Sequence, residues 1–286
     1  GVTRSNIDLD HLRTWIGKSH ADEDVISLRH AQMMAATVDH PDPERIRNGE
    51  RLPPLWHWIY FLAGLPSAEL GRDGHPARGG FLPPVPLPNR MWAGGRVRFV
   101  QPLLIGSTVR KESSILSVDH KRGRSGNLVF VTVLHQLKSL AGELLIREEH
   151  DIVYKGATSA PQQVENPASA HRGPPAKSFT PTSTTLFRYS ALTFNGHRIH
   201  YDADYCRAIE GYRNLVIHGP LTATMLAMLA EEVSGRVIRE FSYRGMAPAI
   251  LGDSLGLYAD SAGDRISLSA TLGNGATCMQ AEARTA

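Results

Sequence analysis

His218-Gly-Pro-Leu-Thr-Ala-Thr-Met-Leu-Ala-Met-Leu-Ala-Glu-Glu-Val-Ser-Gly235 reads as one long helix with both ends marked. Pro220 stands at the start, where its missing N–H costs no hydrogen bond and its fixed φ suits a first turn. Leu221, Met225, Met228, Leu229 and Val233 recur at helical spacing, and Gly235 supplies the stop. With Glu231 and Glu232 near the outer end, the apolar face is expected to pack on a sheet.

The sheet follows directly. Residues 241–243, 254–259, 265–272 and 277–284 read as strands, and in Arg265-Ile-Ser-Leu-Ser-Ala-Thr-Leu272 apolar and polar residues alternate, as one buried and one wet face require. Before the helix, residues 184–190 read as a further strand, and 204–210 as a short helix stopped by Gly211. The expected unit is one helix wrapped by an antiparallel sheet.

The N-terminal half echoes this order. Helical periods run through residues 8–16 and 28–38, residues 56–65 form a strongly apolar segment, and strands are expected at 96–99, 107–119, 128–138 and 143–154. Phe99-Val-Gln-Pro102-Leu-Leu-Ile-Gly106 and Arg244-Gly-Met-Ala-Pro248-Ala-Ile-Leu-Gly252 each place Gly four residues after Pro ahead of an alternating strand, which points to duplication. Ala, Ser, Pro, Gln and Gly crowd together without an apolar period between the halves, as in a linker. The expected division is an N-terminal unit at 1–155, a linker at 156–178 and a C-terminal unit at 179–286. A Gly- and Pro-rich insertion at 71–95 belongs to the first unit, and insertions of this length are usually functional or disordered.

Composition narrows the function. The 286 residues are long enough for two units, and 42% hydrophobic with 21% charged residues is an ordinary folded composition. The 31 basic residues are interspersed with 28 acidic ones, so the net charge of +3 gives no stripe for nucleic acid, although it suits a small polyanion such as the phosphorylated arm of coenzyme A. Cys206 and Cys278 form neither a disulfide framework nor a zinc knuckle, which suits a reducing, cytoplasmic setting. No apolar run reaches the roughly 18 residues of a membrane span, and Gly1-Val-Thr-Arg-Ser-Asn6 lacks the apolar region of a signal peptide.

Asn195-Gly-His-Arg-Ile-His200-Tyr-Asp202, followed by His218-Gly219, concentrates candidate chemistry ahead of the long helix. Helices followed by an antiparallel sheet, twice, with this motif and a His-Gly pair opening the central helix, resemble the double hot-dog arrangement of the MaoC-like hydratases and dehydratases. The family pattern has the form Asp-x-Asn-Pro-x-His-x-Asp; here the spacing is kept while Asn195 takes the place of the first Asp and Arg198 that of the proline. Together with the insertion Gly79-Gly-Phe-Leu-Pro-Pro-Val-Pro-Leu-Pro-Asn-Arg-Met-Trp-Ala-Gly-Gly95, the motif resembles the branch that contains mesaconyl-C4-CoA hydratase and itaconyl-CoA hydratase.

The resemblance implies an α+β double hot-dog, each half a central helix wrapped by an antiparallel sheet. It also implies reversible addition of water to a C5 dicarboxylic enoyl-CoA such as itaconyl-CoA or mesaconyl-C4-CoA, giving citramalyl-CoA. Coenzyme A enters as part of the substrate, with no other cofactor and no metal, and hot-dog proteins usually pair as homodimers. The residue types suit the reaction. Hydration of a conjugated thioester needs a base for water, an acid for the α carbon and donors for the enolate-like oxygen. His200 is the expected base. Asn195 can orient water but cannot take its proton, so His200 performs both transfers or borrows a carboxylate such as Asp202. The N–H of Gly219, at a helix N-terminus, is the expected oxyanion donor. Arg198 or Arg90 would meet a free carboxylate. His197 and Trp92 complete the candidate substrate contacts, and His218 stands either among them or as a helix cap.

Four other readings compete. Gly252-Asp-Ser-Leu-Gly256 matches a nucleophile-elbow string, but no histidine follows His218 and the next residues are strand. His197, His200, Asp202 and His218 could form a metal cluster. A non-catalytic acyl-CoA binder would explain Asn195, and a dehydratase of fatty acyl chains on CoA or acyl carrier protein would need an apolar tunnel in place of the arginines.

Overall fold

The computed structural model describes residues 7–124, 126–156 and 173–286. Most of the expected linker, 157–172, lies outside them. The elements run α1 (Leu9–Arg13), β1 (Ser19–Val25), α2 (Leu28–Thr37), β2 (Asn89–Phe99), β3 (Thr108–Gly123), β4 (Gly126–Ser139) and β5 (Leu144–Lys155). They continue with β6 (Lys177–Phe179), α3 (Ser183–Leu192), α4 (Ala203–Tyr205), α5 (Gly219–Ser234), β7 (Glu240–Gly245), β8 (Leu255–Ala262), β9 (Arg265–Thr271) and β10 (Thr277–Arg284).

All the strands join one antiparallel sheet in the order β1-β3-β4-β5-β2-β7-β10-β9-β8-β6. Outward from its centre, β2-β5-β4-β3-β1 is matched by β7-β10-β9-β8-β6, the order a duplicated unit gives. The Pro-Gly echo falls at equivalent turns, before β3 and β8, and both glycines hold the left-handed φ the turn needs, Gly106 at 93° and Gly252 at 103°. The halves meet where β2 pairs with β7. Gly94 and Gly95 permit that approach, since a Cβ on Gly95 would lie 2.5 Å from the Glu149 carbonyl and 2.9 Å from the Tyr243 hydroxyl.

Helix α5 is as expected, with Pro in its first turn and Gly235 closing it in the left-handed conformation. It packs against β7 to β10, burying Leu221, Leu226 and Ala230 among others.

The halves differ in their helices. In the N-terminal half the apolar segment at 56–65 forms only the single 3₁₀ turn Trp56–Ile59, between Leu55 and Phe61, both at positive φ. A residue in that region cannot continue a right-handed helix. Two further expectations are corrected. Residues 184–190 belong to the helix α3, whose capping box between Thr182 and Thr185 outweighs the β preference of its threonines and aromatics. Strand β1 was not expected because its polar run, Ser19-His-Ala-Asp-Glu-Asp-Val25, lies almost wholly exposed at the sheet edge and carries no alternation.

Candidate active site

A cavity of about 1900 Å³ opens where the N-terminal half lacks a long helix, and the motif turn, the start of α5 and the concave face of β2, β5 and β7 line it. Helix α3 ends in an irregular turn held by a hydrogen bond of 2.8 Å from Asn195 N to Ser190 O, with Phe194 at φ 47°. A left-handed φ at an aromatic residue is strained and persists where surroundings enforce it. The Asn195 Oδ1 accepts the N–H of His197 at 3.0 Å, leaving the amide nitrogen as the group free to hold a polar partner.

His200 is buried on the 3₁₀ turn Arg198–His200. Its Nδ1 lies 2.7 Å from the Val216 carbonyl, which can only accept, so Nδ1 carries the proton and Nε2 keeps its lone pair. Burial lowers its pKa to about 3, the Val216 hydrogen bond opposing the shift and His197 adding to it, so the ring is neutral at ordinary pH. The ring stacks on His218 with centroids 3.7 Å apart and planes at 15°. His218, fully buried, shares a 2.8 Å hydrogen bond between its Nε2 and Ser190 Oγ. Although it precedes α5, its side chain makes no cap hydrogen bond.

Gly219 lines the cavity at the first position of α5, where amides lack intrahelical acceptors and the helix dipole favours negative charge. A Cβ there would come within 3.9 Å of Trp92 Cδ1, so Trp92 walls the same space. Arg90, two residues earlier on β2, also lines the cavity and has no carboxylate within ion-pair distance among the described residues.

Arg198 and Asp202 behave differently. Arg198 Nη2 lies 2.8 Å from Asp202 Oδ2, and its guanidinium stands 4.2 Å from the centre of the Tyr205 ring, so the two charges satisfy each other away from the cavity lining. Asp202 also caps α4. Neither lines the cavity, whereas substrate contact was expected of both. Among the described residues, the group whose ligand atoms lie within 4.8 Å of one another is Asp73, His75 and His197, which shares one member with the alternative cluster His197, His200, Asp202 and His218. Within that trio an Asp73 oxygen already accepts the His75 N–H at 2.9 Å. The insertion reaches this point directly, because Arg198 N donates to Asp73 O at 2.8 Å.

Sequence reasoning missed a polar patch on the concave face. Register places Lys111, Ser113, His135, Glu148 and His150 on one side of β3, β4 and β5. Glu148 is buried, with Oε1 2.8 Å from His57 Nε2 and Oε2 2.8 Å from Trp58 Nε1. Burial would raise its pKa, but the His57 contact outweighs this and holds it well below the usual carboxylate range. His150 is lowered to about 4 by burial, partly opposed by Glu148. The available signal was the alternation of β5, in which Glu148 and His150 take inward positions between Ile146 and Ile152.

A family model for hydroxyacyl-thioester dehydratase type 2 matches residues 55–251, spanning the cavity, the motif turn and α5. The chain belongs to this family. It is therefore a hydro-lyase of the MaoC-like, double hot-dog kind. The chain is 47% identical over 270 residues to mesaconyl-C(4)-CoA hydratase of Chloroflexus aurantiacus, covering 93% of this chain and 95% of that one. It is 28% identical over 241 residues to the mitochondrial hydroxyacyl-thioester dehydratase type 2 of Schizosaccharomyces pombe, covering 74% and 79%. HtdX of Mycobacterium tuberculosis shares the fold, with TM-score 0.69 at 17% identity over 94% of this chain and all of that one. So does a M. tuberculosis protein described as a double hotdog, with TM-score 0.60 at 12% identity over 94% and 96%. No helix among the described residues is long and apolar enough to cross a membrane.

Proposed function

We propose that the enzyme hydrates a C5 dicarboxylic enoyl-CoA, with mesaconyl-C4-CoA or itaconyl-CoA as substrate and citramalyl-CoA as product. The observation that carries the chemistry is the hydrogen bond from His200 Nδ1 to Val216 O, which leaves Nε2 as a lone-pair base in the cavity shared with Gly219. The 47% identity to mesaconyl-C(4)-CoA hydratase and the unpaired cation Arg90 support the dicarboxylic substrate. The charged concave face disfavours a long apolar acyl chain.

With mesaconyl-C4-CoA, the Gly219 N–H donates to the thioester oxygen and the Asn195 amide nitrogen donates to the attacking water. His200 Nε2 takes a proton from that water as the C–O bond forms at the β carbon. The π electrons move to the α carbon and thioester oxygen, and the imidazolium returns its proton to the α carbon. Both transfers use one group, since Asp202 is committed to Arg198. Burial makes His200 a weak base, so the step leans on the Gly219 N–H to stabilise the enolate-like oxygen as it forms.

The test offers mesaconyl-C4-CoA, itaconyl-CoA and crotonyl-CoA in parallel and follows product formation. A clear kcat/KM preference for a dicarboxylic ester is expected. Preference for crotonyl-CoA, or CoA binding without turnover, overturns the assignment.

A further inference from the structure

Three buried polar atoms line the cavity beyond Gly219 without a hydrogen-bond partner among the described residues: Trp92 Nε1, His150 Nε2 and Tyr243 OH. They come from β2, β5 and β7, adjacent strands at the centre of the sheet. Their rings are neighbours, with centroids 4.2 Å apart for Trp92 and His150 and 6.0 Å for Trp92 and Tyr243. The Trp92 and Tyr243 groups lie near enough to influence each other, but neither meets a partner of full hydrogen-bond geometry among the described residues. Buried polar atoms are nearly always satisfied, and leaving one unpaired is costly. Three together in a ligand cavity mark a place where a ligand supplies the missing acceptor.

The surroundings define that ligand. Of the two carboxylates that act on this group, Glu148 has one oxygen on His57 and the other on Trp58, and Asp151 is held by Arg96 and Thr132. Lys111 lines the same cavity and has no carboxylate within ion-pair distance among the described residues, and Arg90 shares its electrostatic influence with His150. An indole N–H can only donate, so the ligand group is an acceptor, and with two unpaired cations at hand it is an anion. Trp92 Cδ1, bonded to Nε1, borders the space in front of Gly219. An acyl group whose thioester oxygen sits on Gly219 therefore reaches Nε1 within a few carbons.

We infer that Trp92 Nε1, Tyr243 OH and His150 Nε2 form the receptor for the free carboxylate of the acyl group, in the positive field of Arg90 and Lys111. This rests on the dicarboxylic reading above and assigns the residues that make the enzyme prefer such substrates. The hydroxyl stays protonated at any working pH, since burial and then Glu148 push the Tyr243 pKa well above its ordinary value. Gly95 belongs to the arrangement, because a side chain there would collide with the Tyr243 hydroxyl.

The experiment compares kcat/KM for mesaconyl-C4-CoA and crotonyl-CoA in wild type, Trp92→Phe and Tyr243→Phe, which keep a ring while deleting one donor. Each variant is expected to lower the ratio of the two kcat/KM values by about tenfold or more, the scale of one hydrogen bond to a charged group, with the loss mainly in KM. A ratio within about twofold of wild type in both variants overturns the receptor and leaves the three atoms to solvent. Equal losses on both esters overturn it too, because a general packing defect does not discriminate. A wild type that prefers crotonyl-CoA removes the dicarboxylic reading and the receptor together; a wild type that prefers mesaconyl-C4-CoA with unchanged ratios in the variants removes the receptor alone.

Discussion

The imidazoles of His200 and His218 lie flat on each other, 3.7 Å between centroids, with one anchored to the Val216 carbonyl and the other to Ser190. Two buried rings so close resist protonation together, which keeps the Nε2 of His200 available as a base. His200→Ala is expected to lower hydration by at least about 10²-fold, the contribution of a general acid–base group, while circular dichroism still reports a folded chain. Near-normal kcat in a folded variant would remove His200 from the mechanism.

The same burial makes stability depend on pH. The fold depresses the pKa of His200 to about 3 and of His150 to about 4, and lowers those of His75, His135 and His218 as well. In the unfolded chain these groups titrate near 6.5, so below that pH the unfolded state binds protons that the folded state refuses. Stability is full above pH 6.5 and falls as pH drops towards 4, by about 1.4 kcal/mol per pH unit for each such proton. Melting temperatures from pH 8 to 4.5 should show a plateau and then a steep decline; a flat profile contradicts buried neutral histidines.

Glu148 is the acceptor that satisfies both His57 and Trp58. Glu148→Ala is expected to destabilise by about 2–3 kcal/mol, the cost of leaving the buried His57 and Trp58 groups without their acceptor. Glu148→Gln, which keeps an oxygen for one of the two donors, should cost less. Urea titration of both variants measures the difference, and a loss under about 1 kcal/mol for alanine would mean that the pair is not sealed from water.

Gly74 holds the insertion against the motif turn at φ 90°, and a Cβ there would fall 1.8 Å from the Gly196 carbonyl oxygen. Gly74→Ala therefore displaces the turn carrying Asn195 and His197. A stability loss of about 1–3 kcal/mol is expected, accompanied by a clear drop in kcat. Unchanged kinetics would show that the insertion does not set the turn.

Arg198 gives the opposite expectation. Its guanidinium is spent on Asp202 and Tyr205, so Arg198→Ala should change stability by no more than about 1 kcal/mol and leave KM for the dicarboxylic ester near wild type. A large rise in KM would return it to the substrate site.

The legible parts of the molecule were those where one local signal decides. Pro220 and Gly235 bracket α5, and the Asn195–Asp202 motif marks the proposed base and its turn. Where signals competed, tertiary context decided. Residues 184–190 carry threonines and aromatics that favour a strand, but the Thr182–Thr185 box starts a helix whose buried Leu186, Tyr189 and Leu192 face the core. The positions of Arg90 and Arg198 could not be ranked from sequence, since charge says nothing about direction. Trp92, His150 and Tyr243 lie far apart in the chain and become one group only through the pairing of β2 with β5 and β7.

The unequal helices of the two halves have a consequence for how such an enzyme can change. The proposed base and oxyanion donor lie on the motif turn and α5, whereas Trp92, His150 and Tyr243 wall the cavity from β2, β5 and β7. A substitution on that wall can exchange one acyl preference for another without disturbing the base. Placing the two tasks on different elements separates the choice of substrate from the reaction, so that related enzymes can diverge in the first while keeping the second.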